Sequence, residues 1–439
     1  MRVSWKDLLN QNRILGGTVV VALGQLGSSI AGFLRDTLLS RSFPAWGVVD
    51  VYYASFRPSD LLFQIFIMAG FSVALVPLLA KYHVEKDSAE MSRLLNGVVL
   101  VSALFFGALA LVLAAIFPWI ATFLVQFKGE ELQLYIQFAR IALLTNFLFV
   151  FGNAFGQYLV TAQRFWVYGL TPILYTCGTI LGTLFLTPFI GAYGPIMGTL
   201  AGAAIYVIYR FIAIYRIGFR PGWKFWHPDL KEMGLLMLPR MAALGILQLE
   251  LLVFDAVASG LPEGSVTVNA FTRNFQSLVM GVSGMALGLA IFSLLSQSAA
   301  KQEWNRFRIY MRKGTLFVLG LTIPGAIAII VFLPLEIWVM QAQHAADVFS
   351  TCIILYAISI PFEGLNHLYT RAFFAVKHTT IPAILNVFNG AIAIALAWFL
   401  ASRIGVASIP LGYAVGQALE VVGLVFLLPS GTRIRRAEF

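Results

Sequence analysis

The stretch "GFLRDTLLSRSFPAWGVVDVYYASFRPSDLLFQIF", residues 32–66, decides how this chain is read. It is mostly apolar, yet it carries Arg35, Asp36, Asp50, Arg57 and Asp60. Apolar runs of about 20 residues recur along the rest of the chain, each long enough to cross roughly 30 Å of hydrocarbon as a helix. Of the 439 residues, 59% are hydrophobic and 11% charged, against about 25% charged in a soluble domain. The composition therefore predicts an all-α polytopic membrane protein. The charges in 32–66 then need a reason to be there.

Twelve transmembrane spans are expected, at about 14–40, 50–80, 93–117, 133–160, 166–188, 193–214, 233–260, 266–298, 313–335, 346–374, 380–402 and 408–428. Loop charge supports this count. With the N-terminus inside, the inside segments hold twenty-one Lys and Arg, and the outside segments hold Arg41, Lys128 and Arg403. Cytoplasmic loops carry the excess of Lys and Arg, so both termini are expected in the cytoplasm. The net charge of +10 lies in these loops and does not call for nucleic acid.

The longest inside loop, "RIGFRPGWKFWHPDLKE" (216–232), sits at mid-chain. Its Trp223, Phe225 and Trp226 among basic residues predict an interfacial segment on the cytoplasmic leaflet. It divides the chain into a six-helix lobe (1–215), a linker (216–232) and a second six-helix lobe (233–439). Six is even, so both lobes enter the membrane with one orientation, as in parallel repeats related by a pseudo-two-fold axis along the membrane normal. A shift of 216 residues lays "VYYASFR" (51–57) on "TVNAFTR" (267–273) and Arg57 on Arg273.

The polar residues inside spans fall in stripes. Asp50, Tyr53, Arg57, Asp60 and Gln64 are spaced 3, 4, 3, 4, which places them on one helix face. The eighth span repeats the pattern with Asn269, Arg273 and Gln276. The first carries Gln25, Ser28, Ser29, Gly32 and Asp36, and the seventh Gln248, Asp255 and Ser259, with Glu250 nearby. Four such stripes would line one central cavity between the lobes. The bland alternative is helix–helix glue, with Arg35 pairing Asp36 and Arg57 pairing Asp60. Glue normally uses small and hydroxyl residues. Arg210 and Arg240 are read as snorkelling to the cytoplasmic interface.

A cavity holding Arg35, Arg57, Arg140 and Arg273 suits an anionic substrate, because guanidinium forks match phosphate oxygens. The acids Asp36, Asp50, Asp60, Glu250, Asp255 and Glu363 would balance these charges or couple to a cation or proton. Glu363 and His367, four apart, are expected to form a hydrogen-bonded pair rather than a metal site. Cys177 and Cys352 lie in apolar runs, so no disulfide or metal framework is expected. There is no secretory signal, Walker A loop, H-E-x-x-H or G-x-S-x-G. The reading is a non-enzyme driven by a gradient or by its substrate, with no cofactor.

The strings "GFLRDTLLSRSF…VVDVYYASFRPSDLLFQIF…FSVALVPLLAKY", "TAQRFWVYGLTPIL" (161–174) and "TRAFFAVKHTTIPAIL" (370–385) resemble the bacterial lipid II flippase family (MurJ/MviN), across roughly residues 10–430. That family belongs to the multidrug/oligosaccharidyl-lipid/polysaccharide exporter superfamily. The resemblance implies a flippase that moves undecaprenyl-diphosphate-linked peptidoglycan precursor to the outer leaflet by alternating access. Two six-helix lobes would rock around a cationic cavity, with sodium, protons or the membrane potential as the drive. It implies a bacterial inner-membrane location, a role in cell-wall biogenesis and cell shape, a monomer, and cell-wall synthesis enzymes as partners. Arg35, Asp36 and Asp50 match family positions, and Arg273 matches an eighth-span cavity arginine.

The departures are specific. Ser29 stands where the family has an arginine, Phe63-Gln64 where it has Arg-Arg, and Met68 where it has a glutamate. Two further C-terminal spans of the family have no counterpart in this sequence. The leading expectation is a lipid II flippase. The alternatives are a flippase for another lipid-linked oligosaccharide of O-antigen or teichoic type, a multidrug exporter, and a non-transporting membrane scaffold.

Overall fold

The computed structural model describes Gly24, 26–223 and 226–428. The described residues are helical, joined by short turns, with no strand among them. The helices are α1 (26–42), α2 (47–84), α3 (Ser88–Leu124), α4 (Gly129–Thr161), α5 (Phe165–Ile190), α6 (Tyr193–Arg216), α7 (Asp229–Ala258), α8 (Ser265–Ala300), α9 (Trp304–Val339), α10 (Ala346–Ala375), α11 (Thr380–Ile404) and α12 (Ser408–Leu427). The expected spans fall on these helices, which overrun them by as much as nine residues (Trp304 against 313), and the expected start of the first span lies outside the described residues. Gln25, Lys224, Phe225 and the basic residues at both termini lie outside the described residues.

Seven helical stretches are long and apolar enough to cross a membrane: α3, α4, α5, α6, α9, Ala342–Ala375 and Thr380–Leu427. The last is broken at Gly405, whose φ of 61° ends α11. In the α3 stretch only 11% of the most apolar window is buried inside the protein, so most of its apolar side chains, Leu104, Phe105, Leu111 and Val112 among them, face outward, as they do towards lipid. The remaining helices, α1, α2, α7 and α8, are those in which the sequence places polar stripes.

The chain forms two compact units, the first ending at Leu252 and the second beginning at Val253, inside α7. In the first unit, Phe63, Phe71, Phe106, Phe155 and Phe219 share one apolar core. Phe219 comes from the linker, which is bound to the ends of α2 and α3. Arg220 N–H donates to Ser92 Oγ at 3.3 Å, and Asn96 Nδ2 donates to the Arg220 carbonyl at 2.9 Å. Tyr82 donates its hydroxyl to Asp229 at 2.8 Å beside His227, which is 1% exposed. Trp223 and Trp226 of the linker are exposed.

Helices α5 and α6 approach backbone to backbone. A Cβ on Gly178 would stand 2.5 Å from the Gly198 carbonyl, and one on Gly182 2.4 Å from that of Gly194. Only glycine permits that spacing, the small-residue packing of membrane helices. Helix α2 is irregular. Gly47–Phe63, which contains Pro58, runs into π-helical turns at Gln64–Met68 and Phe71–Leu75 before Val76–Val84 closes it. In the second unit α10 packs against α8, α9 and α12, around Leu295, Phe307, Met311, Val318 and Leu368.

Candidate functional site

In the first unit the polar side chains of α1 and α2 meet. Neighbours one apart on a helix do not face each other, yet Arg35 folds back on Asp36. Nε donates to Oδ1 at 2.8 Å and Nη2 lies 2.6 Å from the same oxygen. Tyr53 on α2 donates its hydroxyl to that oxygen too, and the Arg35 guanidinium stands 5.7 Å over the Tyr53 ring. Asp36 is 2% exposed and Arg35 18%. The Arg35–Asp36 pairing named as glue therefore forms, with part of the Arg35 side chain still exposed.

One to two turns further along α2, Asp60 accepts from Asn146 Nδ2 of α4 at 2.9 Å. Asn146 also reaches Ser59 Oγ at 2.6 Å, and Ser59 donates to the Ala142 carbonyl at 3.1 Å. Asp50 is buried in the first turn of α2, and Arg57 is half-buried. Of the stripe read from spacing, Tyr53 thus meets Asp36 of α1 and Asp60 meets the Asn146 amide of α4.

In the second unit α8, α10 and α12 build a comparable cluster. Tyr356 donates to Asn269 Oδ1 at 2.7 Å, and Gln276 donates to Glu363. Arg273 stands 5.5 Å over the Tyr413 ring, and its buried Nη1 makes no hydrogen bond among the described residues. A buried N–H donor that is left unmade costs free energy, so this nitrogen suits an incoming acceptor. Glu250 and Asp255 of α7 are both buried. The Glu363–His367 expectation is corrected. His367 Nε2 stands 3.9 Å from Glu363 Oε1, beyond hydrogen-bond distance, and His367 is 57% exposed, while the other Glu363 oxygen accepts from Gln276.

Two other arginines have duties that spacing did not reveal. Arg140 on α4 is exposed, and its Nε donates to the Ala114 carbonyl of α3 at 2.9 Å. Four residues beyond Ala114 stands Pro118, which has no N–H to give that carbonyl. Arg210 does the same for α5. Its Nη2 reaches the Tyr168 carbonyl at 3.1 Å, freed by Pro172, and its Nη1 reaches the Gly152 carbonyl at 2.8 Å. Nε donates to Thr171 Oγ1 at 2.8 Å, and Tyr168 and Tyr206 present their rings. Arg210 is 2% exposed, so the snorkelling expectation fails. Carbonyls from two helices hold it inside. Arg240 is exposed, as a snorkelling side chain is.

Sequence reading passed over one polar cluster. Glu420 on α12, 5% exposed, accepts from Asn389 Nδ2 at 2.6 Å and Asn366 Nδ2 at 3.3 Å. Asn366 also donates to Gln417 Oε1 at 2.5 Å. Gln417 and Glu420 stand three apart in an apolar span, a stripe like those on α2 and α8. Among the described residues no group of three or more His, Cys, Asp or Glu is placed to hold a metal. Of the departures from the family pattern, Phe63 is 5% exposed in the apolar core, edge-on to Phe106 at 6.1 Å.

The family model described as "Lipid II flippase MurJ" matches residues 39–437. A "Probable lipid II flippase MurJ" of Bdellovibrio bacteriovorus is 24% identical over 434 residues, covering 95% of this chain and 83% of that protein. Among solved structures, "Lipid II flippase MurJ, inward closed conformation" superposes with a TM-score of 0.78 at 21% identity, over 95% of this chain and 90% of that one. An inward-facing multidrug resistance MATE family transporter of the MOP superfamily gives 0.75 at 15% identity, over 94% and 95%. These two structures share the fold.

Proposed function

This chain belongs to the lipid II flippase MurJ family, and we propose that it moves a polyprenyl-diphosphate-linked cell-wall precursor, lipid II foremost, from the cytoplasmic to the outer leaflet by alternating access. The match over residues 39–437 carries the reading. The product serves peptidoglycan synthesis. Arg35, Arg57 and Arg273 bind the diphosphate, with Arg140 assisting. Support comes from the buried Nη1 of Arg273, which makes no hydrogen bond among the described residues, and from the partial exposure of the Arg35 side chain.

Asp36, Asp50, Asp60, Glu250, Asp255 and Glu363 balance the arginines when substrate is absent and couple transport to Na+, protons or the membrane potential. The sequence holds no nucleotide-hydrolysis motif, which supports secondary-type transport. The protein works as a monomer in the bacterial inner membrane beside cell-wall synthesis enzymes. Both termini lie in the cytoplasm, as the loop charge supports.

Complementation tests the proposal. A bacterium depleted of its own lipid II flippase and expressing this chain should grow and present lipid II on the outer leaflet, and Arg273→Ala should abolish the rescue. A folded, inserted wild-type chain that gives no rescue overturns the lipid II assignment. It favours the second reading, another lipid-linked oligosaccharide. That reading draws on Phe63, which fills the apolar core where the family has an arginine.

A further inference from the structure

The first turns of α4 carry a polar face of which the functions above use only Arg140. Glu130, Gln133, Gln137 and Arg140 are spaced 3, 4, 3 and share one side of the helix. All four are exposed. They cover about 15 Å of helix at 1.5 Å per residue. The next residue on that side, Leu144, is exposed and apolar. The polar strip thus begins at the end of the helix, runs in as far as an arginine and stops.

Beside the strip lies an open notch of about 400 Å³, lined by Gly129, Glu130, Gln133, Leu134, Gln137 and Tyr193. Tyr193 closes it from the start of α6. Its ring leans edge-on against Phe138 at 5.4 Å and its hydroxyl donates to Gln137 Oε1. Gln133 and Glu130 make no side-chain hydrogen bond among the described residues. At the inner end, Arg140 spends Nε on the Ala114 carbonyl, and its two Nη groups remain exposed.

The chemistry of the lining selects its ligand. Two primary amides, a carboxylate and a phenol offer donors and acceptors side by side, as sugar hydroxyl and acetamido groups require. The Tyr193 ring gives an apolar wall with a polar tip. Lipid tails would not favour this face. A polar residue on a membrane helix is costly unless it meets water or a polar ligand.

We propose that this notch docks the glycan of the transported lipid on the outer side, with Arg140 reaching its diphosphate at the inner end. The ligand class is an oligosaccharide of N-acetylated hexosamines. The inference rests on the flippase reading for its biological role and on the notch itself for its chemistry. It gives Arg140 a second duty beside its hold on α3. It also makes α4 the surface along which the head-group leaves.

The test uses wild-type chain and variants in proteoliposomes with two labelled probes. One is a polyprenyl diphosphate bearing a disaccharide of N-acetylated hexosamines; the other is the same lipid diphosphate without sugar. Q133L/Q137L should slow the glycan-bearing probe at least about fivefold, the value of one net hydrogen bond, and leave the sugar-free probe at the wild-type rate. Tyr193→Phe and Gln133→Ala, which add no bulk, should show the same selectivity more weakly. Variants that treat both probes as wild type does, or slow both equally, overturn the proposal. If the wild-type chain moves neither probe, the transport reading fails. The notch is then decided by saturation-transfer NMR with the soluble disaccharide. Contact present in the wild type and lost in Q133L/Q137L upholds it, and no contact in the wild type ends it.

Discussion

Asn146 on α4 holds Asp60 on α2, its amide nitrogen 2.9 Å from Oδ1. The second unit repeats the arrangement with the roles exchanged, Gln276 on α8 donating to Glu363 on α10. The partners are 86 residues apart in one case and 87 in the other. The 216-residue shift that lays Arg57 on Arg273 also lays Asp60 on Gln276. Each half thus ties its second helix to its fourth by a carboxylate–amide bond, one turn from its arginine.

This bond should be measurable. A double-mutant cycle of Asp60→Ala and Asn146→Ala, read by thermal unfolding in detergent, should give a coupling of about 0.6 kcal/mol, with about 1.7 as the ceiling for intramembrane hydrogen bonds. Gln276→Ala with Glu363→Ala should fall in the same range. Strict additivity in both cycles would show that neither pair stabilises its unit.

Arg35 is part of a buried pair and also a proposed substrate ligand, and the two duties separate. Arg35→Ala alone strands the Asp36 carboxylate and should cost about 3–5 kcal/mol. Arg35→Ala with Asp36→Ala should recover most of that stability while transport stays lost. A stable double variant that transports normally would make Arg35 purely structural.

For Arg140 the prediction runs through proline. Arg140→Ala should lower stability by about 1 kcal/mol, one net hydrogen bond. In a Pro118→Ala background, where Trp119 and its neighbours can rebuild the α3 ladder and residue 118 regains its N–H, the same change should cost almost nothing. Equal losses in both backgrounds would mean that the Ala114 carbonyl is not what Arg140 serves.

Gly156 makes room for Arg210. A Cβ there would lie 2.4 Å from Nη1. Gly156→Ala should therefore destabilise by about 1–3 kcal/mol, the usual toll of overpacking. Combined with Arg210→Ala, it should add little to the loss already caused by removing the guanidinium. Full additivity, measured as folded fraction after heating, would place the clash elsewhere.

Restoring the family's arginine at Phe63 is not a simple repair. Phe63→Arg puts a charge into a core of Phe106, Phe149 and Phe155. It should cost at least about 2.5–3.5 kcal/mol. A stable, monodisperse Phe63→Arg protein would show that the core opens readily at this point.

The helices and the α2 stripe were legible in the sequence because each depends on one segment alone. Apolar length gives a span, and spacings of three and four give a face. Arg273 was legible for the same reason, since its stripe repeats that of α2. The uses of Arg140 and Arg210 were not. Each answers a carbonyl on another helix, and the sign of that need is a proline four residues past an alanine or a tyrosine, far from the arginine in sequence. The Glu420 cluster draws on three helices, so no single segment shows more than one or two polar residues. Periodicity brought Glu363 and His367 within 3.9 Å of each other, short of a hydrogen bond, and could not show Gln276 of α8 on the other carboxylate oxygen.

The two π-helical turns of α2 change what a deletion would do there. Each wide turn holds one residue more than an α-helix needs, and one residue swings the following face by about 100°. Past Leu75 the helix is thus rotated by roughly 200° from where a regular helix drawn from Asp50 would point. Removing one residue within Gln64–Met68, or one within Phe71–Leu75, leaves the backbone ladder able to close as ordinary α-helix. The residues that follow, Lys81 and Tyr82 included, keep their heading, because the α-helical turn reaches the same point with one residue fewer. In this helix a one-residue deletion inside a wide turn should leave the far end as it stands, whereas a deletion outside those turns should swing it by about 100°.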